Sequence, residues 1–460
     1  AQTFELGGYR HDAGPTVITA PFLFDELFEL FGERRDDHIE FRELTPWYRF
    51  VFQDGDQFNY GGSLEDTLEE IKRIHPEDCD GYLKLVEHSK KMFDVGFAEL
   101  AHEPFHRLGT MAKQIPQLGR LRSDRSVWDM VCKYLSHDKL RQAFSIQPLL
   151  VGGSPFDTTS IYGLIHYLER AYGIYFAMGG TGALVHALEQ LMRRQGITIQ
   201  TKASVDELIM DGKTVTGVRL ANGETLTADH VVFNGDPMHL YRHMIPNAKL
   251  PLTTQLKRDH SKLSMGLYVL FFGTDRTYDE VAHHTIWMGP RYRELLDDIF
   301  HRQILADDFS LYLHRPTATD PSFAPEGHDS FYVLAPVPHQ GSGIDWGVEE
   351  PKLRARIIEA LDRTILPGVK DHIQAPFSMT PDDFSENYLS HLGAGFSIAP
   401  LFTQSAWFRF HNKAEGFENL YLAGAGTHPG AGMPGVISSA KVVERLVREA
   451  TDNLFIPALS

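Results

Sequence analysis

Residues Asn419–Ser439 read NLYLAGAGTHPGAGMPGVISS, and three kinds of local structure follow one another within them. Leu420–Ala423 is a short apolar run of the kind a buried parallel strand requires. Gly424-Ala425-Gly426 turns the backbone with almost no side chains, which lets a ligand approach the main chain closely. Gly430 and Gly432 continue that bare path. Pro434 stands where a helix would begin, in the first turn, where its missing N–H costs nothing. From there Val436, Ala440, Val443 and Val447 recur at helical spacing, with Glu444, Arg445, Arg448 and Glu449 between them, the pattern of an amphipathic helix. The unpaired N–H groups of a helix start carry about half a positive charge. Strand, glycine turn and helix start in that order make a seat for an anionic ligand.

The run N-x-Y-L-x-G-A-G-T-H-P-G-A-G-M, with Ser439 six residues beyond Met433, resembles the C-terminal motif of bacterial-type phytoene desaturases. These are FAD-dependent carotenoid desaturases of the amine-oxidase-like flavoprotein superfamily. The resemblance implies FAD as cofactor, with the helix start facing the pyrimidine edge of the isoalloxazine. It assigns Gly424, Ala425, Gly426, Gly432, Met433, Pro434, Gly435 and Val436 to that cofactor. A reduced flavin gains negative charge at this edge, so a helix N-terminus is physically apt there. His428, inside the motif, is the candidate for acid–base catalysis, and a histidine that merely holds the loop explains it equally well.

The same resemblance places Asp12, Gly14 and Pro15, in the run D-A-G-P-T, at the cofactor. In the family that run follows an N-terminal βαβ unit, whose G-x-G-x-x-G holds the FAD pyrophosphate. No such fingerprint occurs in this sequence. Gly7-Gly8 stand alone, with no apolar strand before them and no helix after. The expectation is an N-terminally truncated or processed chain.

Further along, Pro21–Phe31 reads as a helix and Arg49–Phe52 with Gln57–Tyr60 as a hairpin. A helical block follows: Leu64–Ile74, Tyr82–Leu100, Val127–Tyr134, Leu140–Leu150 and Ile161–Tyr172. Met178-Gly-Gly-Thr-Gly182 then opens a helix whose Leu184, Leu188, Leu191 and Met192 share a face. By resemblance, Gly179, Gly180, Thr181 and Gly182 lie where the substrate channel meets the flavin. Ile197–Gln200 and Ser204–Met210 read as strands. Asp211-Gly212 and Asn222-Gly223 separate the latter from Thr214–Leu220 and Glu224–Thr227, which makes a three-stranded meander. Val231–Phe233 ends at Asn234-Gly235-Asp236. The resemblance gives Val205 to the adenine and Asn234, Gly235 and Asp236 to the cofactor cleft. Leu263–Phe272, Leu311–Leu313 and Phe331–Val337 are strong later strands that could share one sheet, and Pro351–Ile365 reads as a helix. Gly393–Phe396, Pro400, Gln404 and Arg409 resemble the family's G-x-x-F…P…Q…R stretch, with Phe410 where many members have Pro.

The implied fold is α/β. A Rossmann-like FAD-binding domain, its first βαβ unit missing, is formed by 1–20, 173–245 and 412–455. An inserted α+β substrate and membrane domain takes 21–172 and 246–411. Net charge is −17, from 61 acids against 44 Lys plus Arg, which argues against a nucleic-acid partner. Two cysteines, Cys79 and Cys132, give neither a disulfide framework nor a thiolate metal site. His102-Glu-Pro-Phe-His106 matches H-E-x-x-H, but Pro104 cannot sit inside the continuous helix that zinc binding needs. His283 and His284 are adjacent, so their side chains should diverge. No metal is expected.

Lys113, Arg120, Arg122 and Arg125, interleaved with Met111, Ile115, Leu118 and Leu121, could rest on an anionic membrane or simply face solvent. The resemblance implies phytoene, a C40 isoprenoid hydrocarbon, as substrate and lycopene or a related carotenoid as product. It also implies a cytoplasmic protein held peripherally at the inner face of the cell membrane. Diapophytoene desaturation, another carotenoid desaturation, and a non-catalytic lipid-binding remnant stay open as alternatives.

Overall fold

The computed structural model describes residues 1–99, 101–106, 109, 119, 121–245 and 248–452. The chain opens with an antiparallel hairpin, β1 (Gln2–Leu6) and β2 (Tyr9–Ala13). Gly7 and Gly8, at φ 61° and 88°, are its turn. The sequence reading gave them no strand because β1 is mostly polar and exposed. Long-range packing holds it instead, with the Phe4 ring edge-on to Phe271 and Phe377 at 5.7 and 5.4 Å.

After helix Phe22–Glu29 come β3 (Phe41–Glu43) and the expected hairpin, β4 (Tyr48–Val51) with β5 (Gln57–Tyr60). The helical block contains Leu64–Ile74, Cys79–Phe93, Val127–Tyr134, Asp138–Ser145 and Leu164–Tyr172. Ser63 and Ser126 start two of these with capping boxes closed by Asp66 and Asp129, which satisfies otherwise orphaned N–H groups. The helix expected to run to residue 100 loosens into a wider π-type turn at Asp94–Glu99. The one expected over Leu140–Leu150 breaks, and Pro148 opens a separate 3-10 turn at Gln147–Val151.

Next are β6 (Tyr175–Ala177), paired with β3, and helix Gly180–Arg194. The meander forms as expected from β7 (Val205–Asp211), β8 (Thr214–Leu220) and β9 (Thr225–Thr227), followed by β10 (Val231–Phe233). Ile197–Gln200 is not a strand. It is largely solvent-exposed and pairs with nothing among the described residues, so its apolar alternation finds no ladder to join.

The later strands are β11 (Gly266–Thr274), β12 (His284–Trp287), β13 (Leu311–His314), β14 (Asp329–Val337) and β15 (Ile373–Met379). Among the described residues they form the largest sheet, in the order β15-β11-β14-β13-β12-β4-β5. Every pairing is antiparallel except β12 with β4. All nine residues of β11 are buried, because both faces of the sheet are covered. Tyr268, Leu270 and Phe272, with Phe331, Val333 and Ala335 of β14, pack against Leu353, Ile357 and Leu361 of helix Trp346–Arg363. The intervening Leu267, Val269 and Phe271, with Tyr332 and Leu334, face the other way. The period of two along a strand thus sends one set to a helix and the other to an internal cavity. That helix starts at Trp346, five residues before the expected Pro351.

Finally β16 (Leu420–Leu422) runs parallel to β10, with Val231 opposite Leu420 and Phe233 opposite Leu422. It leads into helix Met433–Asp452. No helix among the described residues is long and apolar enough to cross a membrane.

Asn419, just before β16, joins this pair to the meander. Its Oδ1 accepts from the Val215 N–H at 2.8 Å, and its Nδ2 donates to the carbonyls of Val215 and Asp229 at 2.7 and 2.6 Å. Asn419→Ala should therefore leave three main-chain groups without their partner and cost about 2–4 kcal/mol. Denaturant titration of the variant checks this; a midpoint equal to the parent's would show that the bridge carries no stability.

Candidate active site

The loop after β16 has few side chains, so its shape is imposed by neighbours. Gly424, at φ +108°, donates its N–H to Ser439 Oγ at 2.9 Å, and that hydroxyl donates to the Val436 carbonyl at 2.6 Å. Ser439 therefore closes the loop onto the helix. Asn412 Nδ2 donates to the carbonyls of Leu422 and His428 at 3.2 and 2.9 Å. Arg409, fully buried, donates Nε to Thr427 O at 3.0 Å and Nη2 to Ala425 O and Ile398 O at 2.6 and 3.2 Å. Burial lowers its pKa, partly offset by Tyr162 and Asp236. A Cβ on Gly435 would sit 2.6 Å from the Gly430 carbonyl oxygen. The helix start thus packs directly on the main chain of the loop, and Gly435 serves that contact as well as any ligand's approach.

Loop and helix start form one side of a cavity of about 1010 Å³. Gly14, Pro15, Asn234, Gly235 and Asp236 border it as well. Much of the rest of the wall is apolar: the inward residues of β11 and β14, Ile146, Leu149 and Val151 from the helical block, and Leu184 and Leu188 from helix Gly180–Arg194. Tyr388 and Phe402 line the cavity and are also 41% exposed, so it reaches the surface there. One acid stands in this wall. Glu169, at 0% exposure, accepts from the Tyr48 hydroxyl at 3.3 Å. Burial pushes it up to about 8 against the lowering pull of Tyr48 and Gln147.

The family model for flavin-containing amine oxidoreductases matches residues 1–443. The chain belongs to the flavin-containing amine oxidoreductase family. It is 43% identical over 450 residues to the lycopene-forming phytoene desaturase of Pantoea ananas, covering 98% of this chain and 92% of the relative. It is 31% identical over 446 residues to the 4,4'-diapophytoene desaturase (4,4'-diapolycopene-forming) of a Methylomonas species, covering 96% and 87%. An oxidoreductase from Methanosarcina mazei shares the fold at TM-score 0.61, with 13% identity over 97% of this chain and 90% of that one. The protein is accordingly a flavoprotein, with FAD as cofactor. The site fits the group: a bare glycine loop and a helix start border one cavity.

Of the residues expected at the flavin, Gly14, Pro15, Asn234, Gly235, Asp236, Ala425, Gly426, Gly432, Met433, Pro434, Gly435 and Val436 line this cavity. Asp236 already has work to do. Its Oδ1 caps Met238 N at 2.9 Å and takes Ser397 Oγ at 3.0 Å, and its Oδ2 takes His391 N at 2.9 Å. Gly424 lies outside the lining, where a Cβ would meet Asn234 Nδ2 at 2.9 Å. Val205 starts the meander opposite Leu220, away from the cavity. His428 borders the cavity with its ring edge-on to Phe105 at 4.7 Å.

Asp12 and residues Gly179, Gly180, Thr181 and Gly182 do not line the cavity; Asp12 meets Gly180 and Thr181 instead. Asp12 Oδ1 accepts from the N–H and hydroxyl of Thr181 at 3.0 and 3.1 Å, so a carboxylate sits at the positive start of helix Gly180–Arg194. A Cβ on Gly180 would lie 2.3 Å from that oxygen. The contact with the cavity shifts one turn on, to Leu184, Val185 and Leu188.

The divergence expected of His283 and His284 is also corrected. A bend at His283, before β12 begins, turns the two rings edge to face at 4.6 Å. His102–His106 lies in turns, not in a helix. Of the basic stretch, Met111, Lys113, Ile115, Leu118 and Arg120 fall outside the described residues. Arg122 lies 3.7 Å from Asp124, and Leu121 is buried.

Glu169 was missed by the reading of the sequence. Its signal was periodic: Ile161, Ile165, Leu168 and Glu169 share a helical face, and all four border the cavity. Glu169 holds its proton more tightly when folded, so its contribution to stability is complete below 4.5 and is lost as pH rises through about 8. Glu169→Gln should remove that decline, on the order of a few kcal/mol. Denaturation midpoints from about pH 5 to about pH 9 test this; the same pH slope in variant and parent would refute the raised pKa.

Proposed function

We propose that the protein desaturates phytoene to lycopene, with FAD as the oxidant. The observation that carries this reading is one cavity in which the glycine loop and helix start share the lining with a mostly apolar wall. A hydrocarbon offers no polar handle, so binding must come from buried apolar area, at roughly 25 cal/mol per Å². The higher identity to a lycopene-forming desaturase than to a diapophytoene desaturase supports the C40 substrate.

FAD held at this site would supply the acceptor for a hydride from a C–H bond. The chain's part is to place that bond against the loop and to take up the proton from the adjacent carbon. Glu169 is the carboxyl we put at the proton's exit, since it borders the cavity and burial raises its pKa to about 8, which strengthens its ionised form as a base; His428 is the second candidate. We assign residues 1–20, 173–245 and 412–455 to the flavin domain and residues 21–172 and 246–411 to the substrate domain.

Flavin-loaded protein mixed with phytoene in liposomes, with oxygen or a quinone as final acceptor and no nicotinamide, should yield red, multiply desaturated product by absorbance and chromatography. If phytoene is untouched while the C30 analogue reacts, the diapophytoene reading replaces this one. If neither reacts with flavin bound, the desaturase assignment fails.

Such a substrate dissolves in the bilayer, so we place the protein peripherally on the inner face of the cell membrane, in the cytoplasm. Support comes from both flanks of the basic stretch, since Phe97, Ala101 and Phe105 before it and Ser123 near its end line the cavity. Replacing Lys113, Arg120, Arg122 and Arg125 by Glu should release the protein from anionic liposomes, as added salt should in part. Equal co-sedimentation of variant and parent would favour a solvated face.

A further inference from the structure

On the far side of the cavity wall three histidines meet. His284 and His314 are register partners across β12 and β13, with rings 5.4 Å apart. His283 lies 4.6 and 4.8 Å from them, centre to centre. One ring nitrogen from each falls within 4.8 Å of the others, and the three residues are 5%, 0% and 0% exposed. The outward nitrogens of two are engaged: His283 Nδ1 with Thr319 Oγ1 at 2.6 Å, and His284 Nδ1 with the Tyr312 hydroxyl at 2.8 Å. Nε2 of His283, Nε2 of His284 and both nitrogens of His314 have no hydrogen-bond partner among the described residues. Asp12 Oδ2, also without one, lies 3.7 Å from His314 Nε2.

We infer that His283, His284 and His314 bind a divalent transition-metal ion, zinc in the first instance, as a structural centre joining β12 and β13 to the N-terminal hairpin. Four observations support it. Unpaired buried imidazole nitrogens are destabilising, and an ion among them removes that cost. Hydrogen bonds to the outward nitrogens are what orient metal-ligating histidines. All three residues are buried, which keeps water from competing for the ion. Asp12 supplies a negative charge beside the site, while the cation of Arg315 is already paired with Asp329 and Asp279. In a tetrahedral site ligand nitrogens lie about 3.4 Å apart, so the widest pair closes by about 1.4 Å, shared between two side chains.

The test uses untagged, flavin-loaded full chain. Elemental analysis should find about one zinc per chain in the parent, after purification or after incubation with zinc chloride and gel filtration. His284→Phe, which fills the space with an apolar ring, and His283→Gln should both lose it while keeping their flavin. A parent that retains no more zinc than His284→Phe overturns the inference. Where the variants do not fold, cobalt(II) loaded into the parent decides. The visible bands of a four-coordinate cobalt–imidazole site support it; a spectrum of hydrated cobalt alone overturns it.

Discussion

A loop made largely of glycine cannot hold its own shape, and the residues between 424 and 435 depend on a buried guanidinium for theirs. Arg409 lies wholly in the interior and spends its donors on main-chain carbonyls from two segments, Ile398 and Gln404 on one side and Ala425 and Thr427 on the other. A buried cation without a carboxylate in contact is costly, and a fan of carbonyl dipoles is the compensation available here. Gln404 extends the clamp: its side chain takes Lys262 N and gives to Lys262 O and Ala399 O at 2.7, 3.0 and 3.0 Å. The stretch from 393 to 409 is thus a frame for the loop, which explains why polar residues with defined geometry recur in it. Phe410 completes the frame by stacking on Tyr241 at 5.5 Å.

The two central strands β11 and β14 divide their side chains between two tasks and leave none exposed to solvent. In β11 and β14, alternate positions pack on helix Trp346–Arg363 or face the cavity. A shift of one residue in either strand would exchange the two sets and put the helix-facing rings into the channel. Register is therefore a functional constraint here as well as a structural one. The antiparallel ladder from Gly266–Val337 to Thr274–Asp329 runs through all nine pairs without a bulge.

The sequence was most legible where period and punctuation coincide. Asp211-Gly212 and Asn222-Gly223 flank alternating runs, so the meander could be read at once, and the strand–turn–helix from Leu420 to Val447 likewise. Legibility failed where tertiary context decides. Gln2–Leu6 carries no strand pattern, yet the pocket between Phe271 and Phe377 gives Phe4 a place. Ile197–Gln200 carries the pattern but meets no partner. The flavin side of the site was readable because a motif encodes it in contiguous residues. The apolar wall was readable only as strands and helices, since its residues come from five or more separate segments. The placing of Asp12 at Thr181 joins residues far apart in the chain, and nothing in either segment announces the other.

Tyr312 shows how the cavity and the buried histidines bear on each other. It borders the cavity, and its hydroxyl bridges Thr16 Oγ1 and His284 Nδ1 at 2.8 Å each. Tyr48 makes a second link, with its ring 5.9 Å from that of His284 and its hydroxyl on Glu169. Both tyrosines sit between polar groups that need fixing and a channel that must stay apolar. A phenol suits that position, since it joins an apolar ring to a single hydrogen-bonding atom. Whatever fixes His284 therefore also fixes the Tyr312 ring on the channel surface. Because a hydrocarbon is aligned only by the shape of its channel, such anchoring from behind is what lets an apolar wall define one position for the reacting bond.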